Sequence, residues 1–134
     1  DVDPAVRRPG RFDCMLFVPP PDAVARERIL SLHLAGRPTV SGFDLAAVAE
    51  RADGCTGADL RAVVRLATHL AVRRTLGDGG TDCPIDEGML LEALEPVRPS
   101  ARPWFETARN YALYANEGGT YDDLIAYLRQ QRLA

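Results

Sequence analysis

The sequence predicts a mainly α fold: a helical bundle preceded by one strand and followed by a helical extension. Three observations carry this. From Asp22 onward apolar residues recur three and four apart, the spacing that places them on one face of a helix. Asp44, Thr56 and Asp86 stand immediately before such runs, where a side-chain oxygen can accept from the first helical amides. Only one segment, Cys14-Met15-Leu16-Phe17-Val18, reads as a buried strand, and a single strand forms no sheet alone.

In chain order, Asp3-Pro4 starts a short helix that Pro9-Gly10 stops. The strand over 14–18 runs into Pro19-Pro20-Pro21-Asp22. The first long helix is expected over about 22–34, with Ala25, Ile29 and Leu32 sharing a face, and Gly36-Arg37-Pro38 ends it. Asp44 caps a second helix with Leu45, Val48 and Ala49 inward, and Gly54 stops it near Asp53. Thr56 and Asp59 form a capping-box-like pair for a third, running to about Thr75, with Leu60, Val63, Val64, Ala67 and Ala71 on one face. Residues 77–80 form a glycine-rich loop. Asp86 caps a fourth helix with Met89, Leu90, Ala93 and Leu94 inward, and Pro96 ends it. The tail, 100–134, reads as two helices. One carries the stripe Trp104, Ala108, Tyr111, Ala112 and Ala115. Residues 116–119 turn the chain. The other carries Tyr121, Leu124, Ile125 and Leu128, with Thr120 and Asp123 as a capping pair.

The chain has 134 residues, 46% of them hydrophobic, which is one domain's worth with enough apolar content for a core. The net charge of −3 is too mild to imply a nucleic-acid or membrane partner by bulk charge. All 16 basic residues are arginine. Without lysine the phosphate-binding loop G-x-x-x-x-G-K-[ST] is excluded from this stretch. Cys14, Cys55 and Cys83 are odd in number and widely spaced, so no zinc site or disulfide framework is expected, and reduced, cytoplasmic thiols are. No signal peptide or apolar run of spanning length occurs. A start at Asp1 fits an excised or processed piece of something larger, as does the lone strand.

Arg7-Arg8-Pro9-Gly10-Arg11-Phe12-Asp13 resembles the end of the second region of homology in AAA ATPases. Ile29-Leu30-Ser31-Leu32-His33 resembles that family's I-L-x-x-H. Gly54-Cys55-Thr56-Gly57-Ala58-Asp59-Leu60 resembles its G-[FYC]-[ST]-G-A-D-[LI] at the start of a lid helix. Together the matches span about residues 1–75, and Val97-Arg98-Pro99-Ser100 echoes a further family element. The resemblance implies three segments. Residues 1–20 would close the large α/β ATPase domain, with a remnant strand, 21–98 would be the helical AAA+ lid domain, and 99–134 a C-terminal helical extension.

The resemblance also implies roles. Arg8 and Arg11 fall where the family has arginine fingers that reach a neighbouring subunit's ATP. Charge builds on the transferring phosphoryl group, and a permanently charged, multiply donating guanidinium stabilises it. Ile29 and His33 fall where the family approaches base and ribose. Gly57 and Ala58 fall where backbone approaches adenine, which small residues and a helix N-terminus permit. ATP or ADP is the implied cofactor, with Mg²⁺ held by the large domain, and no metal site is expected here.

The implied partners are neighbouring subunits of a homo-oligomeric ring, a hexamer, together with a protein substrate. Neither nucleic acid nor membrane is expected, and the place is cytoplasmic. The parent would couple ATP hydrolysis to protein remodelling or unfolding, while this chain alone would not hydrolyse ATP. No H-E-x-x-H occurs, which disfavours the membrane-protease branch within this chain. Read without the resemblance, the same residues are a basic turn at a helix end, a core histidine and a capped helix start. The tail reads equally as plain hydrophobic packing. His69 has no motif support. A free-standing helical interaction module without a nucleotide role is the alternative. A nucleic-acid binder using the arginine cluster is discounted for want of further basic stripes.

Overall fold

The computed structural model describes residues 17–77, 82–114, 116, 119 and 121–130. Six helices occur among them: α1 (Ala23–Leu34), α2 (Leu45–Arg51), α3 (Gly57–Gly77), α4 (Glu87–Leu94), α5 (Ala101–Tyr114) and α6 (Asp122–Gln130). The expected N-terminal helix, the arginine turn and residues 14–16 of the expected strand lie outside the described residues. Phe17 and Val18 belong to no regular element, and Val18 is exposed rather than buried. The chain divides into two compact units, residues 20–103 and residues 1–19 with 104–134.

In the first unit, aspartate caps set three helix starts. Asp22 accepts from Ala25 N at 2.8 Å, Asp44 from Ala46 N at 2.9 Å, and Asp86 from Met89 N at 2.7 Å. Each oxygen satisfies an amide that the helix leaves without a carbonyl. Gly54, at φ 75°, makes the turn between α2 and α3 in a backbone region that side chains disfavour. The 21-residue α3 is the spine, with α1 and α4 packed on it and α2 against α1. Its inward stripe is Leu60, Val63, Val64, Ala67 and Ala71, as its spacing predicts. Leu30, Leu34, Val48, Ala49, Ala52, Cys55, Ile85, Met89, Leu90 and Ala93 complete the core. The α1–α2 loop is pinned to Ile85, the residue before the α4 cap, by a short parallel bridge: Ile85 N donates to the Pro38 carbonyl at 2.9 Å, and Val40 N to the Ile85 carbonyl at 3.0 Å.

The α1 face differs from the expectation. Arg26, Leu30 and Leu34 are its buried residues; Ile29 is half-buried, and Leu32 is 69% exposed. Arg26 is the cause. Its Nε donates to the Ala49 carbonyl at the end of α2 at 2.8 Å, its Nη1 donates to the Pro21 carbonyl at 2.9 Å, and Nη1 lies 3.6 Å from Asp53. An arginine that satisfies carbonyls from two segments can occupy an inward position, and it rotates the helix by about one residue from the purely apolar stripe.

In the second unit, α5 buries Phe105, Ala108 and Ala112, and α6 buries Leu124 and Leu128. Trp104, expected inward, is half-exposed, because Phe105 takes the inward position. Trp104 instead joins a ring cluster: it stacks on Phe17 at 6.1 Å and meets Phe105 edge-on at 5.2 Å, while Tyr127 lies 5.4 Å from both Phe17 and Phe105. The expected Thr120–Asp123 cap involves a residue outside the described set. Asn116 does related work, accepting from Tyr121 N at 2.9 Å and donating to Asp122 at 2.8 Å.

Replacing Arg26 by methionine keeps its bulk but orphans the Ala49 and Pro21 carbonyls. The expected loss is about 2–3 kcal/mol in urea unfolding, with Arg26→Lys recovering only part because an ammonium lacks the planar fork.

Candidate functional site: the start of helix α3

The turn Gly54-Cys55-Thr56 delivers the chain into α3, and its chemistry centres on Asp59. One carboxylate oxygen, Oδ2, accepts from Thr56 N at 2.8 Å and Thr56 Oγ1 at 2.9 Å. The same oxygen accepts from Ser100 N at 3.0 Å and Ser100 Oγ at 2.7 Å. In return Thr56 Oγ1 accepts from Asp59 N at 3.4 Å. Thr56 and Asp59 thus make the reciprocal capping pair that their spacing predicts. With both hydroxyl protons directed at Asp59, the 3.1 Å contact between the Thr56 and Ser100 oxygens carries no proton of its own.

Ser100, 41 residues further on and directly before α5, is the partner that helical spacing does not reveal. Only its place in the Val97–Ser100 echo marked it. Burial pushes the Asp59 carboxyl up, but the hydrogen bonds from Thr56 and Ser100 outweigh that and hold it below its ordinary value of 3.8.

The next two amides are left over. Those of Gly57 and Ala58 have no partner among the described residues, as the first turn of a helix leaves them. Nothing lies within 4 Å of where a Gly57 Cβ would stand, and Ala58 is exposed. Two donors without a protein partner among the described residues therefore stand beside a capped carboxylate.

The other residues singled out in the sequence fall as follows. Ile29 is half-buried and packs against the core cluster. His33 is half-buried in the last turn of α1, and its carbonyl accepts from Arg37 Nε at 2.9 Å. Arg37 Nη1 also donates to Thr68 Oγ1 at 3.2 Å, which ties the end of α1 to the middle of α3. No hydrogen bond among the described residues joins His33 to Gly57 or Ala58. Arg8 and Arg11 lie outside the described residues. His69 is exposed. Among the described residues no group of three or more His, Cys, Asp or Glu side chains could hold a metal ion, and no helix is long and apolar enough to cross a membrane.

The low Asp59 carboxyl sets a pH dependence. Its contribution to stability is complete above the ordinary carboxylate range and is lost as pH falls through the lower folded-state value. Asp59→Asn is expected to cost about 1–2 kcal/mol at pH 7 and to flatten the fall in stability below about pH 4. Urea midpoints measured from pH 7 to pH 2.5 check both.

Residues 42–86, which cover α2, α3 and the approach to α4, match the model of the AAA+ lid domain. A cell division cycle protein 48 homolog from Archaeoglobus fulgidus is 38% identical over 108 residues, covering 74% of this chain and 15% of that protein. The ATP-dependent zinc metalloprotease FtsH 2 of Symbiobacterium thermophilum is 52% identical over 73 residues, covering 54% of this chain and 12% of that protein. A probable inactive ATP-dependent zinc metalloprotease, FTSHI 2, chloroplastic, from Arabidopsis thaliana is 34% identical over 131 residues, covering 92% of this chain and 14% of its own length. The chain thus spans no more than 15% of the length of these relatives. Both metalloproteases and cell-division-cycle ATPases share the module, so it does not separate those branches. The lid-domain match and these relatives bear out the resemblance of this chain to the C-terminal, lid-bearing part of AAA ATPases.

Proposed function

We propose that the chain forms the lid of an ATP hydrolase that works as a homo-oligomeric ring, a hexamer, and remodels or unfolds protein substrates. The observation that carries this is the lid match, together with the open amides of Gly57 and Ala58 at the start of α3. These amides can donate to the ring nitrogens of a purine, and Gly57 lets a flat base approach the backbone. The Asp59 carboxylate beside them repels phosphate, so the base is the part of the nucleotide this helix start suits. That differs from a phosphate-binding helix N-terminus, where the amides face the anion directly.

On this reading Ile29 and His33 flank base and ribose from α1. ATP or ADP is the ligand, and its phosphates and Mg²⁺ are held by the large ATPase domain. Arg8 and Arg11 serve the next subunit's site, where a guanidinium stabilises the charge developing on the transferred phosphoryl group. The chain has no lysine for a phosphate-binding loop, so it turns over no ATP by itself. A cytoplasmic location and independence from nucleic acid and membrane belong to the same reading. The mild net charge supports independence from nucleic acid and membrane.

One ATPase experiment on the protein extended to include its large domain tests two parts of this. Arg11→Ala is expected to lower kcat by about 10³-fold or more while leaving ATP binding intact. Gly57→Val should unfold at the parent's temperature, because the space beside Gly57 is open and its φ is ordinary. It should nevertheless weaken nucleotide binding by about tenfold, or 1.4 kcal/mol. Normal turnover in Arg11→Ala reduces the N-terminal motif to a structural turn. Normal nucleotide affinity in Gly57→Val removes α3 from the site.

A further inference from the structure

Helix α3 turns a second face to solvent, opposite its core stripe. Arg61, Arg65, His69 and Arg73 stand four residues apart on it and all are exposed. Four-residue spacing draws a ridge along the helix, here over about 18 Å from first to last. Asp59 is the helix's single carboxylate, and it is committed to Thr56 and Ser100. The arginines of this unit with structural work have partners: Arg26 with Ala49 and Pro21, Arg37 with His33 and Thr68, Arg74 with Glu92. Arg61, Arg65 and Arg73 have no ion pair or hydrogen bond among the described residues. Solvent-facing helices ordinarily alternate acids and bases four apart, and a run of one sign is unfavourable to the helix by itself. The chain as a whole is acidic, at −3, so the ridge opposes the protein's own charge. Val72 and Leu76, 52% and 77% exposed, lie on the same face at its C-terminal end.

We propose that this ridge is a docking surface for an acidic amphipathic helix of a partner protein. Carboxylates spaced four apart on such a helix match the guanidinium ridge, and each guanidinium can grip a carboxylate through two parallel hydrogen bonds. An apolar residue at one end of the partner covers Val72 and Leu76. Arginine interleaved with exposed aliphatic side chains is the composition of a protein interface. A phosphate backbone would use the charges but not the aliphatic end, and the domain's acidity opposes nucleic acid. The expectation that the chain lacks basic stripes beyond its N-terminus is corrected by this face. The proposal does not depend on nucleotide binding.

The test uses the whole chain and a labelled, synthetic 20-residue helical peptide, with glutamate at every fourth position and leucine near one end. Fluorescence anisotropy is read at 150 mM salt, beside a glutamine-substituted peptide, a 20-base-pair DNA duplex and phosphatidylcholine vesicles containing one-third phosphatidylserine. The glutamate peptide is expected to bind at least tenfold tighter than the glutamine peptide. The triple change Arg61→Glu, Arg65→Glu and Arg73→Glu should abolish binding without moving the thermal midpoint. Val72→Ser with Leu76→Ser should weaken it severalfold. The proposal is overturned if the glutamate peptide does not bind at 100 μM, if the triple variant binds it as well as the parent, or if DNA or vesicles bind more tightly than the peptide.

Discussion

A single carboxylate oxygen organises this lid. Asp59 Oδ2 gathers an amide and a hydroxyl from Thr56, three residues before it, and the same two groups from Ser100, 41 residues after it. The first pair fixes where α3 begins, and the second fixes where the chain leaves the bundle for α5. The start of the longest helix and the exit of the unit are therefore one structural event. Ionised, the carboxylate draws four donors inward, and the same bonds keep it ionised. What remains at the helix start is two amides with no assigned work, and these are the groups a ligand can use.

Around that point the bundle is held by ordinary means with one exception. Apolar stripes of α3 and α4, aspartate caps, and the pinned loop before α2 account for most of the first unit. Arg26 is the exception, because a guanidinium occupies a position that elsewhere holds leucine. It joins the segment before α1 to the end of α2, and so sets how the chain enters the lid. Pro21 and Ser100 stand near the two ends of the first unit. Each is fastened by charge-assisted hydrogen bonds rather than by apolar contact alone.

Much of this was legible in the sequence, for local reasons. Asp44, Asp86 and the Thr56–Asp59 pair announce helix starts because their partners lie two or three residues away. The inward faces of α2, α3 and α4 follow from apolar spacing, since no polar side chain interrupts them. The α1 face departs from its apolar spacing because periodicity counts arginine as outward, while Arg26 finds two carbonyls inside. Size and apolarity place Trp104 in the core by sequence, yet Phe105 holds that position and Trp104 stacks with Phe17. The link from Asp59 to Ser100 is long-range, and no local rule signals it. Of the site, Gly57 and Ala58 were marked by motif; what the motif did not show is that their amides stay open while the neighbouring carboxylate is occupied. The ridge on α3 was present in the sequence as arginines four apart, but it becomes a surface only once the core face of the helix is known.

The proposed role of the open amides at the start of α3 is to receive the base of a nucleotide. Hydrogen exchange at Gly57 and Ala58 measures this directly, in the protein extended to include its large domain, with and without saturating ADP. Unpartnered first-turn amides exchange quickly, and an amide donating to a bound base does not. If the amides hold the base, exchange at these two positions slows by about tenfold or more with ADP, with the bonds of Thr56 and Asp59 unchanged. Equal exchange at Gly57 and Ala58 in the free and ADP-bound protein would contradict it.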